Sequence, residues 1–179
     1  NAVLTASTQR IHAMALVHEQ IYQSASLADV NLTDYIRELC AFLSDGYDGG
    51  HVTLSVEGPE LHISLDVIIP IGLIATELVS NSYKYAFAPS HADPRITITA
   101  RESPDGALEL TIKDNGCGMP DNTESAARES LGLSIVHVLT DQLHGTIEQH
   151  SNGGTSWTLT APLPGQSQSA PDGNRQLVV

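Results

Sequence analysis

Two pairs of short strand-like segments, 95–100 with 108–113 and 146–150 with 155–161, most constrain what this chain can fold into. In the first pair apolar and polar residues alternate with period two, as in half-buried strands, and the second pair flanks a glycine turn. Glycine-containing turns join the pairs, at Pro104-Asp105-Gly106 and at Asn152-Gly153-Gly154. One helical pattern lies between the pairs and others precede them. This order fits a mixed sheet lying under helices, an α+β two-layer sandwich, better than a doubly wound parallel sheet.

The remaining elements follow from periodicity. Residues 1–44 read as helical, with Ile11, Met14 (or Ala15), Val17 (or His18), Ile21 and Tyr22 along one stripe. After a break at 24–31, a second apolar face contains Leu32, Tyr35, Ile36, Leu39, Cys40 and Leu43, with Asn31 or Thr33 as its N-cap. The two helices suit a hairpin or a pair that packs on a partner. A loop at 46–50 leads to strands at 52–56 and 61–65, separated by a turn at Gly58-Pro59. Asp66 is placed to cap the next helix. Pro70 falls early in it, and Ile71, Ile74, Leu78 and Val79 carry it to about Ala86. The polar stretch 120–129 has no apolar stripe and reads as a mobile loop. A helix over 131–143 turns Leu133, Val136, Val138, Leu139 and Leu143 inward and ends with Gly145 as its C′ residue. The tail from Pro164 is rich in Gln, Ser, Pro and Gly and reads as disordered. The expected partition is a partial helical region at 1–45, a main domain at 46–163 and the tail at 164–179.

A net charge of -13 argues against a nucleic-acid partner, whose phosphates such a chain would repel. Any bound nucleotide therefore needs local help from a cation, a lysine or backbone N–H groups. Cys40 and Cys117 form no disulfide framework. No run of eighteen apolar residues suggests a membrane segment, and there is no leader pattern, so the expected compartment is the cytoplasm.

Chemistry concentrates in two stretches, Glu77-Leu-Val-Ser-Asn81-Ser-Tyr-Lys84-Tyr85-Ala and Asp114-Asn-Gly116-Cys-Gly118-Met-Pro120. Glu77, Asn81 and Lys84 are spaced to share one face of a helix. A carboxamide suits a hard cation such as Mg²⁺, which keeps several waters and takes few protein ligands. Lys84 offers a flexible charge to phosphate oxygens, and Glu77 can orient a water or accept a proton. Asp114, at a strand end, can accept from the amino group of adenine but would repel the carbonyl oxygen of guanine. Gly116 and Gly118 allow close backbone approach. Ser130-Leu131-Gly132-Leu133 opens a helix whose free N–H groups suit phosphates, and Thr155 follows a glycine pair. Each motif alone also reads blandly, as an exposed helix face, a turn, a helix start or a hairpin. The pattern of a P-loop is absent.

The four motifs in this order resemble the ATP-binding domain of sensor histidine kinases, within the superfamily shared with gyrase, Hsp90 and MutL. Residues 77–86 look like the N box, 114–120 the G1 box, 130–133 the G2 box and 153–155 the G3 box. The resemblance spans about 50–162. It implies a Bergerat-type fold, ATP and Mg²⁺ as ligands, Asn81 on the metal, Lys84 and Tyr85 near the phosphates, Asp114 on adenine and a short lid between Gly118 and Gly132. Residues 10–22 and 30–39 resemble the end of the dimerisation and phosphotransfer region in the HisKA_2 and HWE-type subgroup. That implies homodimerisation through the N-terminal helices and transfer of the γ-phosphoryl group to a histidine, then to an aspartate on a response-regulator receiver domain.

In that subgroup the phosphoacceptor lies in a His-Arg-x-x-Asn-type motif, which is not found here, so the chain reads as a fragment with its acceptor upstream of Asn1. His18, beside Glu19, is tempting as an acceptor, but the register puts it on the second helix, where packing or capping explains it. Two other classes compete: a docking adaptor of the same fold that has lost nucleotide binding, and an anti-sigma-type serine kinase. Intact Asn81, Asp114, Gly116 and Gly118 speak against the first, and the helical front at 10–43 against the second.

Overall fold

A computed structural model describes residues 7–16, 30–47, 51–118 and 131–163. The expected loop at 120–129, the tail, Ser130, His18, Ile21 and Tyr22 lie outside the described residues. In chain order the elements are α1 (residues 7–16), β1 (Val30–Asn31), α2 (Leu32–Gly46), β2 (Thr53–Glu57), β3 (His62–Ile63), α3 (Leu65–Asn81), a π turn (Ser82–Ala86), β4 (Arg95–Glu102), β5 (Ala107–Asp114), α4 (Leu131–Gln142), β6 (Thr146–Ser151) and β7 (Thr155–Pro162).

The main sheet has the order β2-β4-β5-β7-β6. It is mixed, because β2 runs parallel to β4 while every other pair is antiparallel. Period-two alternation sends Ile96, Ile98 and Ala100 of β4, Leu108, Leu110 and Ile112 of β5, and Leu159 and Ala161 of β7 into the core. Across them pack Leu32, Tyr35, Ile36, Leu39 and Leu43 of α2 and Ile68, Ile71, Ile74 and Leu78 of α3. Each such side chain, fully buried, contributes roughly 1.5–3 kcal/mol.

α3 is hydrophobic nearly all round, and with the π turn it is long and apolar enough to cross a membrane. It is 72% buried inside the protein, as the central helix of a core would be. Gly72 lets the Tyr35 ring cross α3, since a Cβ there would overlap the phenol. The Tyr35 hydroxyl then donates to the Ala13 carbonyl at 3.0 Å, joining α2 to α1 over α3.

Several local expectations are corrected. On α1 the buried residues are Gln9, Ala13 and Leu16, while Ile11 and Met14 are exposed. The segment 61–65 contributes only the two-residue β3, which pairs with β1 in a separate small sheet. Ser64, not Asp66, occupies the N-cap of α3, and Pro70 sits inside the helix. On α4, Val136, Thr140 and the following Leu143 are buried, but Val138 is 65% exposed. His144 takes the left-handed conformation (φ 52°) after α4. Gly145 is needed for a different reason: a Cβ there would press on the Thr160 carbonyl. Asn31 does cap α2, accepting from the Thr33 N–H at 3.1 Å.

Candidate functional site

β5 builds the site by continuing its own alternation. Leu108, Leu110 and Ile112 point into the core, and the next position on that face is Asp114, only 4% exposed. A carboxylate so placed must be satisfied by hydrogen bonds. Its Oδ1 accepts from the backbone N–H of Gly116 and of Thr155, each at 3.0 Å. Its Oδ2 accepts from the Ser82 hydroxyl at 2.9 Å. A carboxylate can accept about four hydrogen bonds, so an acceptor position is left over on Oδ2. Three separate motifs thus meet at one side chain.

The glycines make this approach possible. Gly154 has φ +127°, and a Cβ on it would collide with the Asp114 carbonyl. A Cβ on Gly116 would strike the carbonyl of Ala86, and Cys117 N–H donates to that same oxygen at 2.8 Å. Gly118 is left-handed (φ +72°), with the Ser151 hydroxyl close to where its Cβ would be. Asn115 anchors the loop from the other side. Its side chain accepts from Arg95 N–H at 2.7 Å and donates to the Asp93 carbonyl at 2.8 Å.

The last residues of α3 supply the other wall. Glu77 is 7% exposed, Asn81 is half-buried and Lys84 and Tyr85 are exposed. The ladder widens into a π turn after Asn81, a departure that often accompanies functional sites. The expected common face for Glu77, Asn81 and Lys84 assumed a uniform α-helix, and the widening shifts Lys84 relative to the other two. Lys84 Nζ lies 5.8 Å from the centroid of the Tyr47 ring, which stacks on Tyr83 at 4.8 Å. Glu77 Oε1 accepts from Arg10 Nε at 2.6 Å.

Leu131, Gly132 and Leu133 open α4, with Leu131 70% exposed. Thr155 is buried at the start of β7, its backbone N–H committed to Asp114. No group of three His, Cys, Asp or Glu side chains suited to a metal exists among the described residues. A metal bound here through one carboxamide would need ligand oxygens and water. Sequence reasoning missed Ser82, Gln9, Arg10 and Tyr47. Arg10 carried a signal: the residues three and four away from it are Ala6, Ser7, Ala13 and Met14, so any carboxylate partner had to come from elsewhere in the fold.

Residues 66–165 match the family model described as Histidine kinase-, DNA gyrase B-, and HSP90-like ATPase. Residues 1–47 match the HisKA_2 histidine kinase model. The sensor histidine kinase PdtaS of Mycobacterium tuberculosis is 28% identical over 164 residues, covering 89% of this chain and 32% of PdtaS. Blue-light-activated histidine kinase 2 of Erythrobacter litoralis is 24% identical over 165 residues, covering 88% of this chain and 46% of the relative. The chain therefore spans about a third to a half of the length of these relatives. Among solved structures, the histidine kinase domain of the Erythrobacter litoralis EL346 blue-light activated histidine kinase superposes with a TM-score of 0.78 at 20% identity, covering 88% of this chain and 75% of that one. At that identity the likeness establishes the shared fold.

Proposed function

Because this chain belongs to the histidine kinase-, DNA gyrase B- and HSP90-like ATPases and carries a HisKA_2 segment, we propose that it is the ATP-binding catalytic part of a two-component sensor histidine kinase. The carrying observation is the hydrogen bond from Ser82 to Asp114, which brings the end of α3 and the glycine loop after β5 together. In this reading residues 46–163 form the catalytic domain, and residues 1–45 are the end of the phosphotransfer region. The phosphoacceptor histidine lies outside this chain.

Asp114 selects adenine. Its carboxylate is oriented by three donors and keeps an acceptor position for the exocyclic amino group. Lys84 leaves the Tyr47 ring to meet phosphate oxygens, a move from one weak cation–π contact to a charge-assisted one. Tyr85 lies beside it, and the N–H groups at the start of α4, from Leu131 to Leu133, face the triphosphate with the positive end of the helix dipole. Asn81 presents a neutral oxygen for Mg²⁺. The metal, when bound, neutralises developing charge on the transferring phosphoryl group. Glu77 is the candidate for proton handling. Transfer of this kind depends on positioning and charge neutralisation, so the protein needs no covalent intermediate of its own.

The γ-phosphoryl group would pass to a histidine, and from there to an aspartate of a response-regulator receiver domain in the cytoplasm. The exposed Ile11 and Met14 on α1 favour homodimerisation through the N-terminal helices. The docking-adaptor reading is disfavoured by the intact Asp114 clasp, and the serine-kinase reading by the HisKA_2 match. The test is ATP titration with and without Mg²⁺, followed by incubation of labelled ATP with the chain and its parent's upstream segment. Binding that requires Asp114, and acid-labile label on a histidine, are expected. No measurable ATP binding by the wild type overturns the reading.

A further inference from the structure

Arg10 lies outside the four motifs, yet its Nε reaches Glu77 across 67 positions of sequence. The pair is largely enclosed, with side chains 23% and 10% exposed. Its neighbour Gln9, itself 4% exposed, accepts from the Ser80 hydroxyl and from the Tyr47 hydroxyl, each at 3.2 Å. Tyr47 in turn lies under Lys84. Two consecutive residues of α1 therefore touch α3 at Glu77 and Ser80, within the turn that leads to Asn81, and Gln9 braces the ring on which Lys84 rests.

A staple between helices does not need an ion pair. Enclosed pairs of this kind are often no better for stability than apolar packing of the same volume. The chain has only 8 Lys and Arg against 21 Asp and Glu, so committing a guanidinium to this spot is notable. Its effect is local: it offsets one carboxylate beside the place where a triphosphate would add several more negative charges. It also fixes the direction in which that carboxylate points.

Resting on the nucleotide reading above, we propose that Arg10 is a positioning residue of the nucleotide site. It holds Glu77 in place and cancels its charge, so that α1 of the phosphotransfer segment contributes to Mg-ATP affinity without touching the nucleotide. Without Arg10, the unpaired Glu77 repels the incoming phosphates. Without both charges, that repulsion is gone.

The experiment measures ATP affinity in the presence of Mg²⁺ by calorimetry on the full chain, for wild type, Arg10→Ala, Arg10→Lys, Glu77→Gln and the double variant Arg10→Ala with Glu77→Gln. Arg10→Ala should weaken binding about tenfold, the size expected for one unscreened charge at partly buried range. Arg10→Lys should recover most of that loss. In the Glu77→Gln background, Arg10→Ala should change affinity by less than about twofold, because the charge it offsets is gone. A purely structural Arg10 would instead lower melting temperature and affinity alike in both backgrounds, which overturns the proposal. Unchanged affinity in Arg10→Ala overturns it too. Arg10→Gln, close in length, takes the place of Arg10→Ala if the latter fails to fold. Absence of ATP binding in the wild type overturns the nucleotide reading itself, and this role with it.

Discussion

The Ser82 hydroxyl donates to Asp114 Oδ2 at 2.9 Å, tying the first residue past α3 to the last residue of β5. Both groups are buried. Ser82→Ala removes one of three donors from an enclosed carboxylate and should destabilise the fold by about 1.5–3 kcal/mol, the usual range for a hydrogen bond to a charged group. Urea denaturation of the two proteins measures it. A midpoint unchanged within error would mean that water replaces the hydroxyl without loss.

Asp114 itself separates folding from recognition. Asp114→Asn keeps an oxygen for the Gly116 and Thr155 N–H groups and can still meet the Ser82 hydroxyl, but it places an amide N–H₂ where, in the proposed kinase reading, the adenine amino group donates. The melting temperature should move little while ATP affinity falls by at least about tenfold, matching the loss of one charged hydrogen bond. Asp114→Ala should lose both, because two backbone N–H groups are then left without an acceptor. Calorimetric titration alongside thermal melts distinguishes the two variants.

Much of this arrangement could be read before any coordinates. Alternation in β4, β5 and β7 and the turns at Gly106 and Gly153 carried the mixed sheet, because a half-buried strand leaves a period-two record, whereas the largely exposed β6 leaves none. Asp114 could be singled out as a carboxylate next in line after Leu108, Leu110 and Ile112 on the same face. Contacts set by tertiary packing were not legible. Ile11 and Met14 look like a core stripe, but the face of α1 that docks is the one with Gln9 and Ala13, where the Gln9 side chain accepts from Ser80 and the Ala13 backbone carbonyl accepts from the Tyr35 hydroxyl. Helical spacing also could not show the π turn, since it breaks the period on which such spacing relies. Val138 failed similarly: it is apolar and well spaced, yet among the described residues no helix or strand covers it.

Gly153 and Gly154 are adjacent, both left-handed, and should respond differently to alanine. At Gly153 (φ +64°) an added Cβ meets open space, so Gly153→Ala carries only the backbone penalty of about 1 kcal/mol. At Gly154 (φ +127°) the Cβ also collides with the Asp114 carbonyl, and the cost should exceed about 2 kcal/mol. Because that collision lies beside the proposed nucleotide site, Gly154→Ala should also weaken ATP binding while Gly153→Ala leaves it close to wild type. Equal losses in the two variants would show that the hairpin relaxes away from β5.

Alkaline pH should loosen the core from α2 outward. Burial pushes the Cys40 thiol up to about 12 and raises the Tyr35 phenol above its ordinary range. For both groups the folded state keeps the proton that the unfolded chain releases earlier. Between the unfolded value near 9 for the thiol and its folded value near 12, the native state holds more protons, so stability falls as pH rises. Below pH 9 this contribution is fully present. Urea midpoints at pH 8 and pH 10.5 should therefore drop more for the wild type than for Cys40→Ala, which removes the thiol's share and leaves that of Tyr35. The same thiol should resist alkylating reagents in the native state, whereas exposed Cys117 reacts.

The exposed apolar face of α1 gives the last test. Ile11 is 68% exposed and Met14 45% exposed, three positions apart on one side of the helix, while the opposite side is committed to α2 and α3 through Gln9, Ala13 and Leu16. If that outer stripe is the dimer contact of the kinase reading, Ile11→Asp with Met14→Asp should abolish self-association. The melting temperature at dilute protein should change by little, since neither side chain contributes to the protomer's core. Sedimentation over a concentration series measures the first effect and thermal melts the second. A wild type that stays monomeric at the highest concentrations would overturn the dimer contact.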